Sequence, residues 1–224
     1  MPTPPSARLP AVRPPKQDRT RESWQRILET GLELLETGGW EALTVSEVCR
    51  RCGISAPSLY ARVDGRNGLF YAVYEYGMVR VASTQAQLAE SVRPGEGLET
   101  AARRATEAML ETFERHGALL RAVILRASVD AEFRGRGAIE SRIALRGVFE
   151  HVPGKRTAVE AAGRTVFSEC VVRIIYGADF FTGDPESSEQ FVDRLTTLIV
   201  GAVTAAGPPI EGEDWPVRQE RMGQ

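Results

Sequence analysis

The chain is poor in lysine, histidine and cysteine. Of its 28 basic residues only Lys16 and Lys155 are lysine, so arginine carries almost all the positive charge. Arginine suits two-pronged contacts to phosphate and guanine, although a GC-rich coding sequence produces the same bias. Three cysteines, an odd number, argue against a secreted disulfide scaffold. His116 and His151 are isolated and lack ligand spacing, which leaves a zinc site short of donors. No apolar run approaches the roughly 20 residues that a membrane-spanning helix needs. No apolar stretch near Met1 reads as a signal peptide, so the expectation is a cytoplasmic protein without a membrane partner. A Gly-rich phosphate loop, a nucleophile elbow and a paired acid–base set are also missing. Arg134-Gly135-Arg136-Gly137 alternates glycines, but inside a helical pattern and with no strand before it. No enzyme activity, cofactor or metal is expected.

What is present is enough for one or two small cores: 224 residues with 42% hydrophobic content. Net charge is −2, with a slight basic excess up to Phe70 and an acidic excess beyond it. That split turns the expectation of a nucleic-acid partner toward the N-terminal region. Residues 1–18 are proline-rich and basic (Arg8, Arg13, Lys16), which reads as an arm that does not pack: a solvated tail, or a strand laid along DNA. The remainder shows helical periodicity, with no alternating strand pattern longer than a few residues and no internal repeat. The fold class is all-α.

Helices are expected over 21–37, from about 66 to 90, and near 96–116, 118–128, 130–151, 157–181 and 186–206. Glycine and proline punctuate them at Gly38-Gly39, Arg93-Pro94-Gly95, Gly117, Pro153-Gly154, Gly183-Asp184-Pro185 and Gly207-Pro208-Pro209. Trp40 is expected to plug a small three-helix core. The segment 208–224 reads as a loose tail.

Ala42–Tyr60 is the most informative stretch. Val45, Val48, Cys49 and Cys52 recur at i, i+3, i+4, i+7 and give one apolar helix face. Gly53 supplies a left-handed stop, Ser55 can cap a second helix, and Pro57 falls in its first turn, where N–H groups lack intrahelical partners. Leu59 and Val63 continue the buried face. The layout is that of a helix-turn-helix, whose second helix enters the DNA major groove.

These residues resemble the TetR family of bacterial transcriptional regulators over roughly Arg21–Phe70. The matching pieces are Ile27-Leu28 through Gly38-Gly39-Trp40, Leu43-Thr44-Val45, Cys52-Gly53-Ile54-Ser55 and Ser58-Leu59-Tyr60. Two departures stand out. Val63 replaces an aromatic plug, and Arg66-Asn67 replaces a Lys-Glu step. The resemblance implies a three-helix DNA-binding domain over 19–65 and a helical, ligand-responsive, dimerising domain over 66–207. It also implies a repressor released from a palindromic operator by a small molecule. The alternative is a helical DNA-binding protein controlled by a partner protein or by cysteine oxidation, with no small-molecule effector.

Side-chain chemistry then suggests roles. Thr44 or Ser46 can hold a phosphate at a helix start. Ser55, Ser58 and Tyr60 can donate to phosphate oxygens, which sets register. Ala56 and Pro57 offer only apolar contact to base edges, and Arg62 and Arg66 are the charged candidates. Cys49 and Cys52 form a Cys-x-x-Cys, expected as core rather than chemistry because both fall on the buried face. Two stripes are expected to build a homodimer interface: Phe167, Cys170, Val171, Ile174 and Ala178, then Phe191, Leu195, Leu198 and Ala202. Tyr74, Met78, Met109, Phe113, Ile124, Phe133, Ile143 and Phe149 are the pocket candidates, a lining that favours an apolar effector. Gly65 and Gly68 are a candidate hinge.

Overall fold

The computed structural model describes residues 18–208. The proline-rich arm and the tail lie outside the described residues, except for their edges at Asp18 and Pro208. Among the described residues there are nine α-helices and no strand: α1 (Asp18–Ala42), α2 (Val45–Cys52), α3 (Ala56–Tyr60), α4 (Gly65–Ala89), α5 (Leu98–Arg115), α6 (Gly117–Val129), α7 (Ala131–Phe149), α8 (Arg156–Tyr176) and α9 (Ser188–Ala205). No helix among them is long and apolar enough to cross a membrane.

The chain forms two compact units. One comprises residues up to Val81 together with Ala118–Gly137, and the other Ala82–Gly117 with Ala138 onward. The three boundaries fall inside α4, after the first residue of α6 and inside α7, so each unit combines two segments of the chain.

In the first unit, α1 buries Trp24, Ile27, Leu28, Leu32, Leu34 and Leu35. Gly31 lies on that side because of a close approach: a Cβ there would sit 2.4 Å from Val73 Cγ2 of α4. Helical backbone continues past Thr37 to Ala42, with one interruption at Gly39 (φ 63°, ψ −160°), a conformation that favours glycine. The expected stop is therefore a kink. The kink also changes the fate of Trp40, which is half-buried rather than a deep plug. Its ring meets Phe70 edge-on at 5.2 Å. The deepest aromatics of this unit are instead Phe70, Tyr74 and Phe133, with Phe133 4.9 Å from Phe70 and 4.7 Å from Tyr74.

In the second unit α5, α8 and α9 pack on one another. Met109, Phe149, Cys170, Phe191, Leu195 and Ile199 are buried there. A capping box fixes the start of α9: Ser187 Oγ accepts from the Gln190 N–H at 3.1 Å, and Gln190 Oε1 accepts from the Ser187 N–H at 2.9 Å. Helix α8 stops at Tyr176, five residues before the expected end, because Gly177 takes φ 103°.

Candidate nucleic-acid interface and the other predicted sites

The helix-turn-helix forms as its residues require. Thr44 caps α2, its hydroxyl accepting from the Glu47 N–H at 3.2 Å. Gly53 ends that helix in the left-handed region (φ 65°, ψ 35°), and the Ile54 N–H reaches the Cys49 carbonyl at 3.1 Å. Ser55 then caps α3 by accepting from the Ser58 N–H at 3.4 Å, with Pro57 in the first turn. Val48, Cys49, Cys52, Leu59 and Val63 are buried, and Val45 is half-buried. Val63, small in place of an aromatic, is fully enclosed.

The opposite face is open. Ser46, Ser55, Pro57, Ser58 and Tyr60 are exposed, and Thr44 and Ala56 are half-exposed. Tyr60 is 51% exposed. The capping hydroxyls of Thr44 and Ser55 accept from backbone, and Thr44 Oγ1 also lies 3.2 Å from Ser46 Oγ, within hydrogen-bond reach.

The two charged candidates are placed differently. Arg62 is half-buried, its guanidinium carbon 5.8 Å from the Trp24 ring centre. Arg66 turns inward: Nε donates to the Leu43 carbonyl at 2.7 Å, and Nη2 donates to the Trp40 carbonyl. The Arg66 guanidinium also stacks on the Trp40 ring at 4.3 Å. Nε and Nη2 thus join the α1–α2 connection to α4, and Nη2 also lies 3.6 Å from Glu41.

Cationic groups that the motif reading passed over lie on α2. Arg50 and Arg51 both bind Glu47, at 2.7–2.9 Å, and Arg51 also reaches Glu33 at 3.0 Å. Their i+3 and i+4 spacing from Glu47 is the legible signal. The two guanidiniums hold the Glu47 carboxyl down at about 2.

Cys49 and Cys52 are buried free thiols. Cys52 Sγ lies 3.3 Å from Thr30 Oγ1, and burial pushes the Cys49 thiol up. Among the described residues, no group of three or more His, Cys, Asp or Glu gathers with metal-site geometry.

The eight pocket candidates are divided between the two units. Tyr74 and Phe133 belong to the aromatic cluster of the first unit. Met109, Phe113 and Phe149 are core residues of the second, with Phe113 against Phe167 at 5.2 Å. Met78 and Ile124 are half-buried. Ile143 is 63% exposed. The two cavities described in the second unit have other linings.

The interface stripes are likewise divided. Cys170, Phe191 and Leu195 are buried within one chain, because α5, α8 and α9 use that face to close their own core. Phe167, Val171, Ile174 and Ala178 are half-buried. Leu198 (53% exposed) and Ala202 remain at the surface, beside an apolar groove of about 400 Å³ between α8 and α9. The α8 side of that groove is mostly small, with Ala158, Ala161, Ala162 and Thr165 beside Val166.

Comparison with known proteins bears on the first unit and on the fold. Residues 27–73 match the model for bacterial regulatory proteins of the tetR family. No curated protein matches the chain significantly. Among solved structures, SCO7518 from Streptomyces coelicolor A3(2) superposes with a TM-score of 0.64 at 12% identity, over 82% of this chain and 99% of that one. GusR of Salmonella enterica gives 0.62 at 13% identity, over 85% and 100%. A tetR-family regulatory protein of Rhodococcus RHA1 gives 0.60 at 17% identity, over 81% and 97%.

Proposed function

We infer that this chain, a TetR-family DNA-binding transcriptional regulator by the match of its helix-turn-helix, acts as a homodimeric repressor that a small molecule releases from a palindromic operator. The observation that carries this reading is the face of α3: five residues, capped at Ser55, anchored by buried Leu59, and presenting Pro57, Ser58 and Tyr60 to solvent. Those side chains are rich in hydroxyl donors and hold no charge. They suit phosphate positioning and apolar contact to thymine methyls more than bidentate base reading. Sequence preference would then rest largely on DNA shape.

Dimerisation supplies the second recognition helix that a palindrome demands, with half-sites about 34–36 Å apart. The groove between α8 and α9, with exposed Leu198 and Ala202 facing small residues, supports a second copy there: small side chains let helices approach closely. The alternative of control by cysteine oxidation is weakened by burial, since a protonated, enclosed Cys49 is a poor nucleophile.

The test is fluorescence anisotropy with DNA from upstream of the gene. A palindromic segment should bind two chains, and Tyr60→Ala with Ser58→Ala should weaken binding at least tenfold while leaving the fold intact. Equal binding to scrambled DNA, or no effect of either substitution, would overturn the reading.

A further inference from the structure

A cavity of about 310 Å³ lies in the second unit where α8 gives way to α9. Its size is at the lower end of small-molecule sites, which span roughly 300–1,000 Å³. The segment that walls it is closed on itself. The Gly183 N–H donates to the Asp179 carbonyl at 2.8 Å, and the Glu186 N–H to the Ala178 carbonyl at 3.2 Å.

That closure holds aromatic rings outward. Phe180 is 53% and Phe181 73% exposed, their centroids 4.8 Å apart, and Tyr176 stacks on Phe180 at 4.5 Å. Three adjacent exposed rings contribute little to a core and mark an interaction site. The buried ring of Phe191 also lines the cavity, with the guanidinium carbons of Arg173 and Arg194 at 5.1 and 5.3 Å from its centre.

The two arginines differ in what they have left to donate. Arg194 grips both oxygens of Glu186, at 2.8 and 3.0 Å, and reaches Glu169 at 3.1 Å. Arg173 Nη1 is buried without a hydrogen-bond partner, and lies 3.9 Å from Glu186 Oε2. A buried guanidinium N–H left unmet is costly, and a charged acceptor satisfies it best.

We propose that this cavity binds a planar aromatic carboxylate, its ring laid against Phe180 and Phe181 and its carboxylate paired with the Arg173 guanidinium. The carboxylates of the lining are already engaged by Arg194, so the unspent polar group is a donor and the site selects an anionic head over a cationic one. The site stands within the second unit and does not depend on the chain binding DNA.

Calorimetric titration with 2-naphthoate, and with 2-naphthylmethylamine as the cationic counterpart, tests this. The expected result is one saturable naphthoate site per chain and no binding of the amine. Phe181→Ala and Arg173→Met should each weaken naphthoate at least tenfold. Phe181 is too exposed for its loss to unfold the chain, and Arg173→Lys covers the case in which Arg173→Met does not fold. No naphthoate binding would overturn the proposal, as would binding that survives Phe181→Ala. A shift to monomer in Phe181→Ala with naphthoate binding unchanged would make the rim an association surface instead.

Discussion

The guanidinium carbon of Arg126, on α6, lies 4.1 Å from the centre of the Trp40 ring at the end of α1. Arg66 approaches the same ring at 4.3 Å, and Asp130 holds Arg126 by an ion pair at 3.0 Å. A residue 86 positions away along the chain thus fixes the turn that precedes the helix-turn-helix. Cation–π contacts of this kind contribute on the order of 0.5–2 kcal/mol each. Arg126→Ala should lower the denaturation midpoint modestly and shift Trp40 emission to the red. Arg66→Ala should cost more, about 2–3 kcal/mol, because two carbonyls lose a charged donor. Its loss should appear in urea denaturation. If Arg66→Ala left stability unchanged and only flattened the salt dependence of DNA binding, the inward role would be wrong.

Gly31 and Val73 make a second sharp expectation. The missing Cβ would overlap Val73 Cγ2, so Gly31→Ala should destabilise by about 1–3 kcal/mol despite the higher helix propensity of alanine. Adding Val73→Ala should recover the part of the loss that is overlap. Equal stability of Gly31→Ala and the parent chain, in chemical denaturation, would refute the close approach.

Glu47 gives a pH-dependent expectation with a definite sign. Its carboxyl is held at about 2, below an ordinary value of 4.5, by Arg50 and Arg51. The stabilisation is therefore complete above pH 4.5 and is lost as pH falls through the region toward 2. Carbon-detected NMR titration should place the Glu47 midpoint well below the ordinary glutamate value of 4.5. Arg50→Gln should move it upward, as should Arg51→Gln. A midpoint unmoved by either change would contradict the ion-pair cluster.

Leu195 and Leu198 sit one turn apart on α9, one buried and the other 53% exposed. Leu195→Ala should therefore destabilise the chain by about 2–5 kcal/mol. Leu198→Arg should leave folding intact and lower the association state seen in sedimentation. A fully associated Leu198→Arg protein would remove the α8–α9 groove as the dimer surface.

Much of the DNA-binding unit is legible in the residues because its signals are local. Thr44, Gly53 and Ser55 each act on backbone groups within a few positions, and the buried set Val48, Cys49, Cys52, Leu59 and Val63 follows from helical spacing. Less of the second unit can be read in this way. The stripe Phe167–Ala178 is apolar at the right period, yet period alone does not say whether α5 or another copy covers it. Tyr74 and Met109 likewise share a composition suited to a pocket, but they belong to different cores.

Composition and periodicity determined that this chain is all-α, where most helices begin and end, and that one short helix is displayed polar side out. These outcomes depend on propensities and caps that act over one or two turns. Tertiary structure decided which side chains are spent on the fold and which stay available. Arg66 turns to carbonyls 23 and 26 positions back, Arg126 reaches Trp40, and Arg173 keeps a donor unmet while Arg194 does not. Such choices depend on which helices meet, and the energy of a guanidinium is set by the partner it finds, which no spacing within its own helix records.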